Sequence, residues 1–206
     1  MKAWTKVVIG LCAALAATLG MLAPPADAHD ASDPHAHHHV QPGTVRSIVD
    51  YTVPPVSLLR EDGKTVRMAD ELNDGRPVFL NFIYTTCTSV CPLTSQAFSE
   101  LQTKLGAARN TVHLVSISID PEQDRPARLR EYAKQFGAGP AWQHYTGTVA
   151  ASVAAQQAFG VYRGDKMSHA PVTLVRMTPT SRWVRIEGFA TSDQLLSELR
   201  GVVAAR

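Results

Sequence analysis

The sequence feature that most restricts the possible fold is a near-continuous apolar run over residues 78–84 (VFLNFIY). A strand that is apolar on both faces is buried between two layers, as in the parallel sheets of α/β proteins. The run leads into Cys87 and Cys91, and Pro92 then stands where the first turn of a helix tolerates a proline. The sequence therefore predicts a buried strand, a cysteine pair and a helix, in that order.

Further periodic segments predict a mixed sheet flanked by helices. Leu93, Ala97, Leu101 and Leu105 repeat every four residues, which is typical of an amphipathic helix. The other predicted strands are a hairpin of 56–59 and 66–68, one strand over 112–119, and two over 172–177 and 183–187. The other predicted helices span 126–136 and 149–159, and a last helix runs from a Thr191/Gln194 capping box to about residue 200. Early strands that alternate with helices indicate a parallel core. This order predicts an α/β, thioredoxin-like fold with a central mixed sheet, flanking helices and an extra N-terminal β-hairpin.

The N-terminus predicts export. Lys2 and Lys6 precede an uncharged stretch over 7–23, and Ala26 and Ala28 are the small residues that a signal peptidase recognises. We expect a signal peptide over residues 1–28 and a periplasmic or otherwise extracytoplasmic mature protein. An uncleaved N-terminal anchor is the alternative, because the stretch is near the minimum length of a membrane span.

Residues 29–50 are predicted to form a flexible, histidine-rich arm in front of a domain over 51–206. Five of the first eleven residues of this arm are histidines. Such tracts bind transition metals loosely, although a solvated leader without a metal role fits equally well. The chain carries 20 Lys+Arg against 18 Asp+Glu, scattered and not interleaved with aromatic residues, so no nucleic acid partner is expected.

The cysteine pair is the part of the sequence that can carry chemistry. Cys12 would leave with the signal peptide, so the exported chain keeps only Cys87 and Cys91 in an oxidising compartment. A helix N-terminus favours thiolates, and the spacing allows either a soft metal ion or a disulfide between the sulfurs. Two thiolates are too few for a closed zinc site, which takes four ligands, but they suit Cu(I). A redox-active dithiol and a structural disulfide remain the alternatives, and the disulfide would close too short a loop to stabilise much.

His169 is the candidate third ligand. It stands just before Pro171 and a predicted strand that begins at Val172. In thioredoxin-like folds a cis proline opens the strand that faces the cysteine loop, and the start of a strand tolerates a proline. If Pro171 holds that place, His169 lies close to the sulfurs.

Two other histidines are expected to be structural. His113 falls on a predicted strand, where a partly buried and hydrogen-bonded imidazole is the simplest expectation. His144 is placed in a loop after Trp142.

Two segments resemble the Sco/SenC family of copper chaperones. Residues 82–92 (FIYTTCTSVCP) resemble the family's cysteine loop, and residues 116–124 (SISIDPEQD) resemble its Ser-hydrophobic-Asp-Pro segment. The likeness covers roughly residues 50–200. It implies a thioredoxin-like fold and a copper ion held by Cys87, Cys91 and His169, with delivery to the CuA centre of a terminal oxidase. Asp120 matches the family's Asp-Pro, and we expect it to support the site or the fold.

Two functions follow as hypotheses. The first is an exported copper metallochaperone that passes its metal to a client metalloprotein, such as a terminal oxidase subunit, by stepwise thiolate substitution. The second is a thiol–disulfide reductase that keeps the client's metal-binding cysteines reduced, with Cys87 and Cys91 as the catalytic dithiol. In that case Cys87 is the expected attacker and a mixed disulfide the intermediate. A peroxidase is a weaker enzymatic option.

Overall fold

The computed structural model describes residues 43–203. The predicted signal peptide, with Cys12, and the histidines of the arm lie outside the described residues. Within residues 43–203 no helix has the length and apolarity needed to cross a membrane.

Strands and helices alternate along most of the described chain. The strands are β1 (Val45–Val49), β2 (Ser57–Arg60), β3 (Thr65–Arg67), β4 (Val78–Ile83), β5 (His113–Ser118), β6 (Trp142–Thr146), β7 (Val172–Arg176) and β8 (Trp183–Glu187). The helices are α1 (Met68–Leu72), α2 (Val90–Leu105), α3 (Pro126–Gln135), α4 (Val149–Ala158) and α5 (Ser192–Val203). Two 3₁₀ turns are Gly106–Thr111 and Lys166–Ser168.

All of these strands belong to one sheet, in the order β1-β8-β7-β4-β5-β6-β2-β3. β4, β5 and β6 are parallel to one another, and the other neighbours are antiparallel. This mixed sheet with flanking helices confirms the predicted thioredoxin-like class, and β2 and β3 form the predicted extra hairpin. The carboxyl ends of β4 and β5 meet at one edge of the sheet, which is where the cysteine loop begins.

The core lies on both faces of the central strands. Every residue of β4 is buried, as the apolar run predicted. Phe79 packs on one face with residues of α2 and α5, while Leu80 and Phe82 pack on the other with residues of α4. Helices on both faces therefore explain why β4 shows no alternation between apolar and polar residues.

The capping box at α5 forms as predicted. The Thr191 hydroxyl accepts a hydrogen bond from the Gln194 backbone N–H at 3.2 Å, and the Gln194 side chain accepts one from the Thr191 N–H at 2.9 Å. The two residues thus satisfy two N–H groups that a helix start leaves without partners.

The structure corrects the predicted boundary of the arm and the assignment of three further segments. β1 lies inside the segment 29–50 that was predicted to be flexible, and it pairs antiparallel with β8. Residues 142–146 form the buried strand β6, so the loop predicted at His144 is wrong. Met68 begins the short helix α1 and does not extend the hairpin. No cis peptide bond occurs between residues 43 and 203, so Pro171 does not meet the condition from which the position of His169 was inferred. Pro171 still precedes β7, where the absence of an N–H costs the sheet no hydrogen bond.

Candidate functional site

The cysteine loop connects the buried end of β4 to the start of α2. Cys87 lies in the loop, where its backbone N–H donates to the Tyr84 carbonyl at 3.1 Å, and Cys91 lies in the first turn of α2. Both thiols are free, and the two cysteines are only 6% and 1% exposed. The backbone N–H of Cys91 points at the Cys87 sulfur with an N···S distance of 3.4 Å. The structure therefore brings the predicted pair together at a helix N-terminus.

The two thiols have opposite acidities. Burial opposes ionisation of Cys87, but the backbone N–H groups of Cys91 and Ser89 outweigh it and lower the pKa of Cys87 to about 7. Burial also dominates at Cys91, where the adjacent Cys87 adds to it, and together they raise the pKa of Cys91 well above its ordinary value. Cys87 is thus about half ionised at pH 7, whereas Cys91 keeps its proton.

Tyr84 lies between the cysteine loop and the segment that carries His169. Its side chain packs in the buried cluster that contains Cys87 and Cys91, and its hydroxyl lies 3.8 Å from the Met167 Sδ. Its ring meets the His169 ring edge-on, with the centroids 6.4 Å apart. Burial raises the pKa of Tyr84 to about 12, so the hydroxyl keeps its proton beside the thiolate.

His169 lies beside the cysteine loop without closing on it. Its Nε2 is hydrogen-bonded to the Phe82 carbonyl at 2.9 Å, and burial lowers its pKa below the usual value, so the ring is neutral at pH 7. Within residues 43–203 no three His, Cys, Asp or Glu side chains are close enough together to hold a metal ion. The cysteines are therefore adjacent, while His169 completes no three-residue metal site with them in the described part of the chain.

Asp120 anchors the segment that carries His169. The Asp120 carboxylate is buried and pairs with the Lys166 ammonium at 2.6 Å, three residues before His169. The Asp165 side chain caps the same 3₁₀ turn by accepting the Met167 N–H at 2.9 Å. A cavity of about 350 Å³ adjoins the anchored segment and has His169 in its wall. Asp120 thus has the supporting place that the sequence suggested for it.

Asp124 is a site residue that sequence reasoning missed. It is fully buried and accepts hydrogen bonds from the backbone N–H and the hydroxyl of Thr85, two residues before Cys87. It also accepts a hydrogen bond from the Ser118 hydroxyl at 2.6 Å. The carboxylate therefore ties the cysteine loop to the end of β5. Its position four residues after Asp120 in the segment 116–124 was the available signal.

The remaining described histidines, His113 and His144, lie on strands of the sheet. His113 starts β5 and is hydrogen-bonded through both ring nitrogens, to the Glu71 carbonyl and the Gln143 side chain. His144 lies in β6, buried against the Trp142 ring, with no protein group hydrogen-bonded to its ring nitrogens. The structural role predicted for His113 is confirmed.

Residues 49–199 match the profile of the SCO1/SenC family. The chain belongs to this family. The SCO1 protein homolog of Bacillus subtilis is 33% identical over 92 residues, which cover 45% of this chain and 47% of that protein. The chain therefore matches about half the length of this curated relative.

Solved structures of Sco proteins share the fold. The crystal structure of Arabidopsis thaliana ScoI with copper bound has a TM-score of 0.59 and 27% identity, covering 72% of this chain and 98% of that chain. BsSco, a member of the Sco family of cytochrome c oxidase assembly proteins in which a disulfide switch was identified, has a TM-score of 0.62 and 25% identity. The aligned region covers 75% of this chain and 94% of the BsSco chain.

Proposed function

We propose that this protein is an extracytoplasmic copper metallochaperone that binds a copper ion through Cys87, Cys91 and His169. We further propose that it delivers the ion to a client metalloprotein such as the CuA centre of a terminal oxidase. The observation that carries the proposal is a pair of free cysteines at the start of α2 with a neutral histidine anchored beside them. The copper bound to the related Arabidopsis ScoI supports the choice of metal.

The donor set fits a soft ion. Thiolate ligands select Cu(I), which also accepts a neutral imidazole and low coordination numbers. Cys87 is already about half ionised at pH 7, whereas Cys91 must lose its proton when it binds. Binding therefore releases protons and becomes tighter as pH rises.

Binding by all three ligands needs a small rearrangement. Because His169 is not within metal-binding reach of both sulfurs, the segment 165–169 or the Tyr84 side chain must shift when the ion enters. The same shift in reverse would free one coordination position for a thiolate of the client. This gives stepwise ligand substitution a structural route.

The test is a Cu(I) titration of the reduced full-length protein against a chromophoric chelator. We expect one tightly bound ion, and Cys87→Ser, Cys91→Ser and His169→Ala should each weaken binding by about 100-fold or more, since each removes a ligand. The matched control deletes residues 29–40 and should keep the tight site. Full affinity in His169→Ala, or loss of the tight site with the arm, would refute the assignment.

A thiol–disulfide reductase is the second candidate, and the unequal acidity of the two thiols favours it. A sulfur with a pKa of about 7 attacks a disulfide efficiently at neutral pH, and a protonated thiol beside it can resolve the mixed disulfide. The disulfide switch identified in BsSco is consistent with such chemistry. Reduction of a disulfide-linked peptide by the same variants separates the two functions. A reductase loses activity in Cys87→Ser but keeps it in His169→Ala.

The extracytoplasmic location is tested separately. We expect exported protein to begin near His29, and N-terminal sequencing of material released from the periplasm measures this. Intact Met1 on membrane-bound protein would identify the segment 1–28 as an anchor.

A further inference from the structure

Met167 is a large apolar side chain that remains 73% exposed beside the candidate site. It does not lie on a loose segment. Its backbone N–H is bound by Asp165, and the preceding Lys166 is paired with Asp120. These contacts therefore anchor the backbone of the 3₁₀ turn, with the Met167 side chain at the surface.

The sulfur of Met167 lies next to a side chain that packs with the cysteines. The Met167 Sδ lies 3.8 Å from the Tyr84 hydroxyl, and Tyr84 belongs to the buried cluster that contains Cys87 and Cys91. Tyr84 thus connects Met167 to the cysteine cluster. His169, two residues further along the chain, instead directs its Nε2 at the Phe82 carbonyl.

We propose that Met167 is an additional, thioether ligand of the copper ion, binding it at the mouth of the site next to Cys87. The proposal rests on the proposed copper-binding function. Thioethers are soft and polarisable, so they match Cu(I). Because a thioether carries no proton, its bond to copper forms without acid release. Entry of the ion is a ligand exchange. A bond forms between copper and the Met167 sulfur, the bond between copper and the molecule that carried it breaks, and no electron is transferred.

Exposed apolar side chains are common on protein surfaces, so exposure alone does not identify Met167 as a ligand. Its response to added metal does. The chain supplies two matched comparisons. Met177 lies just beyond the far end of β7, partly buried in the core formed with α2 and α5, and Met68 is fully buried in α1. Neither lies on the cysteine loop or on the segment that carries His169.

The experiment is NMR of the reduced full-length protein with ¹³C-labelled methionine methyl groups, titrated with Cu(I). We expect the Met167 methyl resonance to move with the first equivalent of copper, while those of Met177 and Met68 stay in place. Met167→Leu and Met177→Leu assign the resonances. The same variants give the energetic test, since Met167→Leu should weaken Cu(I) binding by about tenfold, at the low end for a residue supporting a metal site. Met177→Leu should leave the affinity unchanged.

The outcomes separate this proposal from the one on which it rests. If the wild type takes up no Cu(I), both proposals fail. If Cu(I) binds tightly and depends on Cys87, Cys91 and His169, but the Met167 resonance does not move, only the thioether ligand is refuted. Equal affinities of Met167→Leu and Met177→Leu would refute it as well.

Discussion

The two ends of the central strands hold their histidines in different ways. At the cysteine end, His169 is half-buried and uses one ring nitrogen, on the Phe82 carbonyl. At the opposite end, His113 is enclosed and uses both, on the Glu71 carbonyl and the Gln143 side chain. Burial lowers the pKa of both rings, so acidity alone does not distinguish them. Whether the second nitrogen has a fixed partner separates a structural imidazole from one that can bind a metal.

The largest expected contrast is in stability. His113→Ala should lower the free energy of unfolding by about 2 to 4 kcal/mol, because it opens a cavity and removes the hydrogen bonds to the Glu71 carbonyl and the Gln143 side chain. His169→Ala should cost less than about 1.5 kcal/mol, since only one partly buried hydrogen bond is lost. Urea denaturation of both variants measures the difference. Equal losses would mean that the two ends are built alike.

His144 gives a pH-dependent version of the same comparison. Burial lowers the pKa of His144 to about 3, whereas an unfolded histidine titrates near 6.5. The unfolded state therefore binds more protons between these values, and stability should fall as pH drops below about 6.5, by up to about 1.4 kcal/mol per pH unit. His144→Phe should remove this contribution while staying within about 1 kcal/mol of the parent at pH 7, because His144 has no protein hydrogen-bond partner to lose. Urea denaturation at pH 5 to 7 measures the free energy of unfolding of both proteins. An equal dependence of that free energy on pH in the two proteins would contradict the expectation.

The cysteines are compared by alkylation. With a pKa of about 7, Cys87 is half ionised at pH 7, so its thiolate fraction is about fifteen times that of a free cysteine with a pKa near 8.5. Alkylation of Cys87 by iodoacetamide should rise with pH to a plateau above about 8, while Cys91 stays slow. Mass spectrometry of the labelled peptides separates the two sites. Thr88→Ala, at an exposed position of the cysteine loop, is the control that should behave like wild type. Equal labelling of both cysteines would be the contrary result.

The smallest expected effect is local. Lys166→Gln removes the ion pair with Asp120 and should speed amide hydrogen exchange at His169, whose N–H bonds to the Lys166 carbonyl, without changing global unfolding. Arg163→Gln is the control, since among residues 43–203 the Arg163 side chain hydrogen-bonds to the neighbouring carbonyls of Gly160 and Tyr162 and to no carboxylate. Unchanged exchange at His169 would show that Asp120 does not anchor the segment.

Much of the fold could be predicted because its signals are local. The apolar residues of β4, the cysteines before α2 and the Thr191/Gln194 capping box each depend on neighbours in sequence, and each formed as predicted. β1 was missed because its pairing with β8 joins residues that are far apart in the chain. β6 was missed because its polar residues, His144 among them, hide a buried strand.

The site was predictable in its residue types but not in its arrangement. Spacing identified Cys87 and Cys91, yet the difference in their pKa values comes from backbone N–H groups and burial that only the folded chain defines. The roles of Tyr84 and Asp124 depend on contacts between separate segments, and the proximity of Met167 to Tyr84 arises in the same way. A single sequence carries no direct record of such contacts.

The hydrogen bond between His169 and Phe82 also fixes which nitrogen could bind a metal. A carbonyl oxygen can only accept a hydrogen bond, so Nε2 must carry the ring proton, and the lone pair of the neutral ring lies on Nδ1. The imidazole is held as one tautomer before any ion arrives. Coordination through Nδ1 would require neither loss of a proton nor release of the Phe82 carbonyl, so the backbone of β4 would orient the ring and increase the basicity of the coordinating nitrogen.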